Sequence, residues 1–213
     1  RMKGYHIEAF EKSPKQKAKR EEFTDITSGT FIVVDPGTKY MGWAVVRVSE
    51  DASEIGLLDR GTIIRKSVGT VSTVTMVEEL FANIAKYKPE ELIIEDYILI
   101  PGKTNGVFAV PALIGIIKYE WFKRTGKEAI TVKPATWKSV ICKSPNAKKL
   151  HVREAMKQFL DDETYEDIIS EFDEVRGQRR GDYGEQDCID AVALGLYVCL
   201  MVIEEQRRQA LAL

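Results

Sequence analysis

The chain has 213 residues, 44% of them hydrophobic, enough to bury one full core and too few for two domains of ordinary size. Three cysteines outside any CxxC pair argue for free thiols in a reducing compartment, and two histidines exclude a His-rich zinc or copper site. No uninterrupted apolar run nears the roughly 20 residues that cross a bilayer, so no membrane is expected among the partners.

The net charge of −2 conceals a segregation. Lys118 to Lys149 holds nine Lys/Arg against two Glu, whereas Leu150 to Val175 holds two basic residues against nine acidic ones. Arg176, Arg179 and Arg180 then follow within five residues. Such blocks allow a basic face able to follow a phosphate backbone. A solvated mosaic whose charges interleave in space is the alternative.

Residues 1–28 are polar, rich in Lys and Glu and weakly periodic, and are expected to form a flexible charged arm ahead of one folded domain, 29–213. Arg1 reads as an addition before a start at Met2. Phe31 to Val34 is an apolar run suited to a buried strand, closed by the turn residues Asp35-Pro36-Gly37. Tyr40 to Val48 and Leu57 to Arg65 are the next strands, an antiparallel meander. Val74 to Tyr87 has helical spacing, and Leu92 to Ile94 is a short buried strand leading into Glu95. Pro111 suits the start of a helix running to about Arg124. Ala129 to Val132 is a fifth strand, followed by helices over 134–140 and 147–160. Residues 161–184 are expected to be a loop. The last helix runs from Gln186 to about Glu204, with Ile189, Val192, Ala193, Leu196 and Leu200 as its buried stripe. This order makes an α/β domain with a mixed five-stranded sheet between helices.

Asp35 ends one buried strand and Glu95 another, at the rim where ligands of α/β sheets bind. Asp187 and Asp190, three apart at a helix start, project from one face. If that face meets the rim, four carboxylates converge and repel, and divalent cations remove that penalty. Oxygen ligands suit Mg²⁺, with Mn²⁺ as a substitute. Taken singly, Asp35 also fits an ordinary turn, Glu95 a strand-end charge and Asp187 a helix-dipole partner. Asp190, at the edge of an apolar stripe, is harder to explain without a partner.

Four segments carry a family resemblance. "FIVVDPGTKYMGWAVV" (31–46) resembles the first strand pair of RuvC-type Holliday-junction resolvases, and "ELIIEDY" (91–97) their strand ending in a catalytic glutamate. "VKPATWKSVICKSPNAKKLHV" (132–152) is similar to the segment with two lysines eleven apart, here Lys138 and Lys149. "EQDCIDAVALGLYV" (185–198) resembles the closing helix. The resemblance covers 31–200 and implies an RNase H-like fold and a homodimer cutting four-way DNA junctions by paired nicks. It further implies Asp35, Glu95, Asp187 and Asp190 as ligands of two Mg²⁺ ions, with Lys138 and Lys149 on the cleaved strand's phosphates and Lys149 also catalytic. Ile98 stands where the family often has an aromatic residue. Tyr97 is adjacent but points elsewhere if strand geometry persists. Tyr97, Lys103 and the clamp Arg176, Arg179 and Arg180 are added as expected DNA contacts.

The helix at 110–124, with Ile114, Ile117, Trp121 and Phe122, is the expected dimer interface; full burial within the monomer is the alternative. Flaps and forks are further expected substrates. The rival functions are a non-catalytic junction-binding scaffold, an RNase H-type nuclease on RNA–DNA hybrids, and an actin-like ATPase, for which the chain is short. A cytoplasmic or nucleoid setting or a viral replication site is expected, with organellar or nuclear sites as alternatives.

Overall fold

The computed structural model describes residues 3–4, 23–24, 26–51, 53–67, 69–98, 108–173 and 184–212. Its strands are β1 (Lys3–Gly4), β2 (Gly29–Asp35), β3 (Tyr40–Val48), β4 (Ile55–Ile64), β5 (Glu91–Glu95) and β6 (Ile130–Val132). The helices are α1 (Thr70–Ile84), α2 (Ala109–Thr125), α3 (Pro134–Ile141), α4 (Lys149–Phe159), α5 (Asp162–Asp173) and α6 (Gly184–Ala210). One sheet contains all the strands among the described residues, in the order β1-β4-β3-β2-β5-β6. β2, β3 and β4 form the antiparallel meander, while β5 and β6 join parallel to β2. The five expected strands form, and the two-residue β1 adds an edge beside Gly56 and Leu57.

Side chains alternate across a strand, and the two cores follow that alternation. Phe31 and Val33 of β2, Ala44 and Val46 of β3 and Ile93 of β5 face one core with α3, α4 and α6. Ile32, Val34, Trp43, Val45, Leu92 and Ile94 face the other, with α1 and α2. Odd positions of β2 and β5 therefore look toward α6, and that parity carries Asp35 and Glu95 to the α6 side. Fully burying each such aliphatic side chain contributes about 1.5–3 kcal/mol.

α6 is buried on nearly every side from Cys188 to Ile203, because the sheet covers one flank and α3, α4 and α5 the other. By length and composition Gln186–Ala210 could cross a membrane, but 89% of its apolar window is buried inside the protein. Its hydrophobicity serves the core.

Three expectations need correction. The segment 161–173 is no loop, since Asp162–Asp173 is helical. Asp161 accepts from the Thr164 N–H at 2.7 Å, and Ile168 is buried against α6. Within the stretch 1–28 expected to be a flexible arm, Phe23 is buried and meets Tyr197 edge-on, ring centroids 6.0 Å apart. On α2, Leu113, Ile114, Ile117 and Trp121 pack into the second core. Of the residues expected at a dimer interface, only Phe122 is exposed.

Candidate active site

β2 and β5 lie side by side and parallel, with Val34 opposite Ile94, so Asp35 and Glu95 end neighbouring strands on the same face. Across the other edge of β2, Asp35 pairs with Gly42 of β3. Gly42 is where α6 arrives. A Cβ built there would lie 1.9 Å from the Asp187 carbonyl oxygen and 2.8 Å from the Cys188 nitrogen. Only glycine permits so close a helix–strand approach. The start of α6 thus lies at the rim.

The electrostatics report the same convergence. Burial, then the charges of Glu95, Asp190 and Asp187, raise the Asp35 carboxyl well above its usual range, partly countered by Lys138. Glu95 is pushed up to about 7 by burial and by Asp190, against the Trp137 hydrogen bond and Lys138. Asp187 is also raised to about 7, mainly by burial, with Lys149 opposing and Asp190 assisting. Burial raises Asp190, against the pull of Gln186, Lys138, Lys149 and Arg153.

Two of the acids accept hydrogen bonds and a third lies in an ion pair. The Trp137 indole N–H donates to Glu95 Oε2 at 2.6 Å. Gln186 Nε2 donates to Asp190 Oδ1 at 2.8 Å, and Lys149 Nζ lies 4.0 Å from Asp187 Oδ1. Among the described residues, no group of three or more His, Cys, Asp or Glu stands ready to hold a metal ion as placed. The acids share a field, and Glu95, Asp187 and Asp190 are each turned toward a separate partner, an arrangement that mutual repulsion favours.

The other expected residues divide. Lys138, on α3, exerts its field on Asp35, Glu95 and Asp190. Tyr97 packs half-buried against the core on the opposite face and does not join the acids. Lys103, Arg176, Arg179 and Arg180 lie outside the described residues. Sequence reasoning missed Trp137, Gln186 and Arg153. The available signal for Gln186 was its place four before Asp190 on one helix, a spacing that pairs Gln with Asp; Trp137 and Arg153 bond across to other elements and had no such signal.

These raised carboxyls fix the sign of a pH effect. Their folded pKa values exceed the unfolded ones, so the stability linked to them is full below the unfolded carboxylate range near 4. It is lost as pH rises through about 7. In chelator, the melting temperature should fall between pH 5 and pH 8 by more than it does in Asp190→Asn. At pH 8 that variant should melt higher than the parent, by on the order of 5 °C. Equal pH profiles for the two proteins would contradict the electrostatic description.

A family model described as crossover junction endodeoxyribonuclease RuvC matches residues 31–168, so it covers Asp35, Glu95, Lys138 and Lys149 and stops short of α6. No curated protein matches the sequence. Among solved structures, Thermus thermophilus RuvC is similar at TM-score 0.56 and 14% identity, over 80% of this chain and 96% of that one. The yeast mitochondrial Holliday junction resolvase Ydc2 is similar at TM-score 0.54 and 15% identity, over 86% and 84%. The fowlpox virus resolvase in complex with Holliday junction DNA is similar at TM-score 0.52 and 15% identity, over 82% and 99%. At these identities the likeness is one of fold, a mixed RNase H-like sheet between helices. The family match, running through the two strand-end acids and both lysines over about two thirds of the chain, settles membership: this chain belongs to the RuvC family of crossover junction endodeoxyribonucleases.

Proposed function

We propose that the protein resolves four-way DNA junctions by metal-dependent hydrolysis at the rim where β2, β5 and α6 meet. The observation that carries this reading is geometric: Asp35 and Glu95 end adjacent parallel strands on the α6 face, and the backbone of Asp187 at the start of α6 lies against Gly42, the β3 partner of Asp35. Such a set of acids is uncomfortable alone and fits a hard divalent cation bound through oxygen. Asp35, Glu95, Asp187 and Asp190 would hold Mg²⁺, two ions per site, with Mn²⁺ able to substitute. When bound, such ions would supply Lewis acidity toward the phosphodiester and make water more acidic at neutral pH.

The chain's own residues do the rest. Lys138 and Lys149 bind phosphates of the cut strand, and Lys149 offsets the negative charge that grows on the phosphorus oxygens. Trp137 directs the Glu95 carboxylate from a fully buried indole. Hydrolysis leaves a 5′-phosphate and a 3′-hydroxyl. Lys103, Arg176, Arg179 and Arg180 remain proposed phosphate contacts. Three free thiols, two of them buried, suit a reducing intracellular compartment, whether cytoplasmic, viral, nuclear or organellar.

Two symmetric cuts call for two sites related by a two-fold axis. The surface we assign to the dimer is the outer face of α2, with Phe108, Tyr119 and Phe122 84%, 63% and 55% exposed. Ala112 and Gly115 between them complete a stripe at three- and four-residue spacing, and nothing crowds Gly115. Charging the stripe with Tyr119→Glu and Phe122→Glu together should give a monomer in sedimentation at micromolar concentration. A dimer that survives both changes would move the interface elsewhere.

The reaction is tested by comparing a synthetic four-way junction, a flap, a fork and an RNA–DNA hybrid, each with Mg²⁺ and with chelator. Junction cleavage in Mg²⁺ alone is expected, with weaker cutting of flaps and forks. Preferential cutting of the hybrid would transfer the site to an RNase H-type activity, and binding without cutting would leave a scaffold.

A further inference from the structure

Two rungs join α4 to α6 beside the acids. On α4, Lys149 and Arg153 are four apart and share one face. Lys149 approaches Asp187, and Arg153 Nε donates to Gln186 Oε1 at 2.9 Å. Gln186 passes the link on, its Nε2 donating to Asp190 Oδ1. Gln186 is fully buried, 0% exposed.

The chemistry of this bridge is restrictive. A guanidinium only donates and an ionised carboxylate only accepts, so one orientation of the amide satisfies both neighbours. Glutamate at 186 would turn a charge toward Asp190, and methionine would remove both the bond from Arg153 and the bond to Asp190. The bond engages Oδ1 of Asp190 and leaves Oδ2 without a claim from Gln186.

We propose that Gln186 and Arg153 are positioning residues, fixing the Asp190 carboxylate for a divalent cation and tying it to the helix that presents Lys149 to DNA. The proposal rests on the reading of Asp190 as a metal ligand. Partners that orient a ligand from behind typically change metal affinity or activity by about 10–100-fold when removed.

The test is Mn²⁺ binding by calorimetry to the full chain without DNA, alongside the Mg²⁺ concentration for half-maximal junction cleavage. Gln186→Met and Arg153→Met should each weaken Mn²⁺ binding about 10–100-fold and raise the Mg²⁺ requirement in step. At saturating Mg²⁺ the cleavage rate should recover by more than half, a separation that general loss of folding does not produce. Arg153→Lys, which keeps a donor, should restore most of the affinity. Arg153 is only half-buried, so Arg153→Met decides the matter if Gln186→Met fails to fold. Mn²⁺ affinity within twofold of the parent in a folded Arg153→Met protein overturns the proposal. Asp190→Asn separates the two claims: parental Mn²⁺ affinity there would sink the metal site itself. Lost affinity in Asp190→Asn with parental affinity in the methionine variants would sink the positioning role alone.

Discussion

Replacing Asp35 with asparagine is expected to abolish junction cleavage, by roughly a thousandfold or more, while junction binding holds or tightens. The reason lies in its position. Burial and the charges of Glu95, Asp190 and Asp187 all raise the Asp35 carboxyl. It stands on the central strand pair, between Glu95 on one side and Gly42 on the other. Asparagine keeps the shape and removes the charge, so the fold should persist. Without divalent cation the variant should melt higher than the parent at pH 8, because an unfavourable buried charge has gone. Gained stability with lost activity marks a functional residue, and a structural one would lose both. The check is single-turnover cleavage of a labelled junction, paired with melting curves in chelator. Cleavage at the parental rate would remove Asp35 from the site.

The second large effect is expected at Gly42, a residue with no side chain to offer the chemistry. Alanine there would place its Cβ 2.2 Å from the Asp187 carbonyl carbon as well as against its oxygen, and both are backbone atoms that cannot swing aside. The start of α6 must shift by about an ångström, carrying Asp187 and Asp190 with it. Misplacement on that scale can cost about a hundredfold in rate. Gly42→Ala should therefore cleave about a hundredfold more slowly and melt lower, unlike Asp35→Asn. Parental kinetics in Gly42→Ala would mean that α6 does not rest on β3 at this point.

These two residues also show what a sequence can disclose. Asp35 and Glu95 are legible because each interrupts an apolar run, and strand parity then assigns both to one face. Asp190 is legible because a carboxylate beside a buried stripe needs a reason. Gly42 is harder. Its glycine can be read in the chain, but the helix that demands it lies more than a hundred residues on. Gln186 stands four before Asp190 on one helix, a spacing that allows their bond; the Trp137–Glu95 and Arg153–Gln186 bonds cross between separate elements, and no spacing rule reports those.

The errors have physical causes too. α2 carries apolar residues around most of its circumference, so its hydrophobicity could not say which side the sheet would take. The sheet took Ile114, Ile117 and Trp121 and left Phe108, Tyr119 and Phe122 outside. α5 is so acidic that its composition resembles a solvated loop. Its signal was the capping Asp161 followed by Thr164 and Ile168, four apart and both buried. Tyr97 is expected as a DNA contact for its place beside Ile98, although strand parity already points it away from the direction of that position. The strand ends at Glu95, and Tyr97 turns to the other core.

Crystals grown at saturating Mn²⁺ give the most direct test, because anomalous scattering places the ion without reference to activity. Density within about 2–2.5 Å of carboxylate oxygens from Asp35, Glu95, Asp187 and Asp190 is the expected result, with the side chains swung inward from their present partners. Manganese bound elsewhere, or those four acids still apart at saturation, would contradict the account.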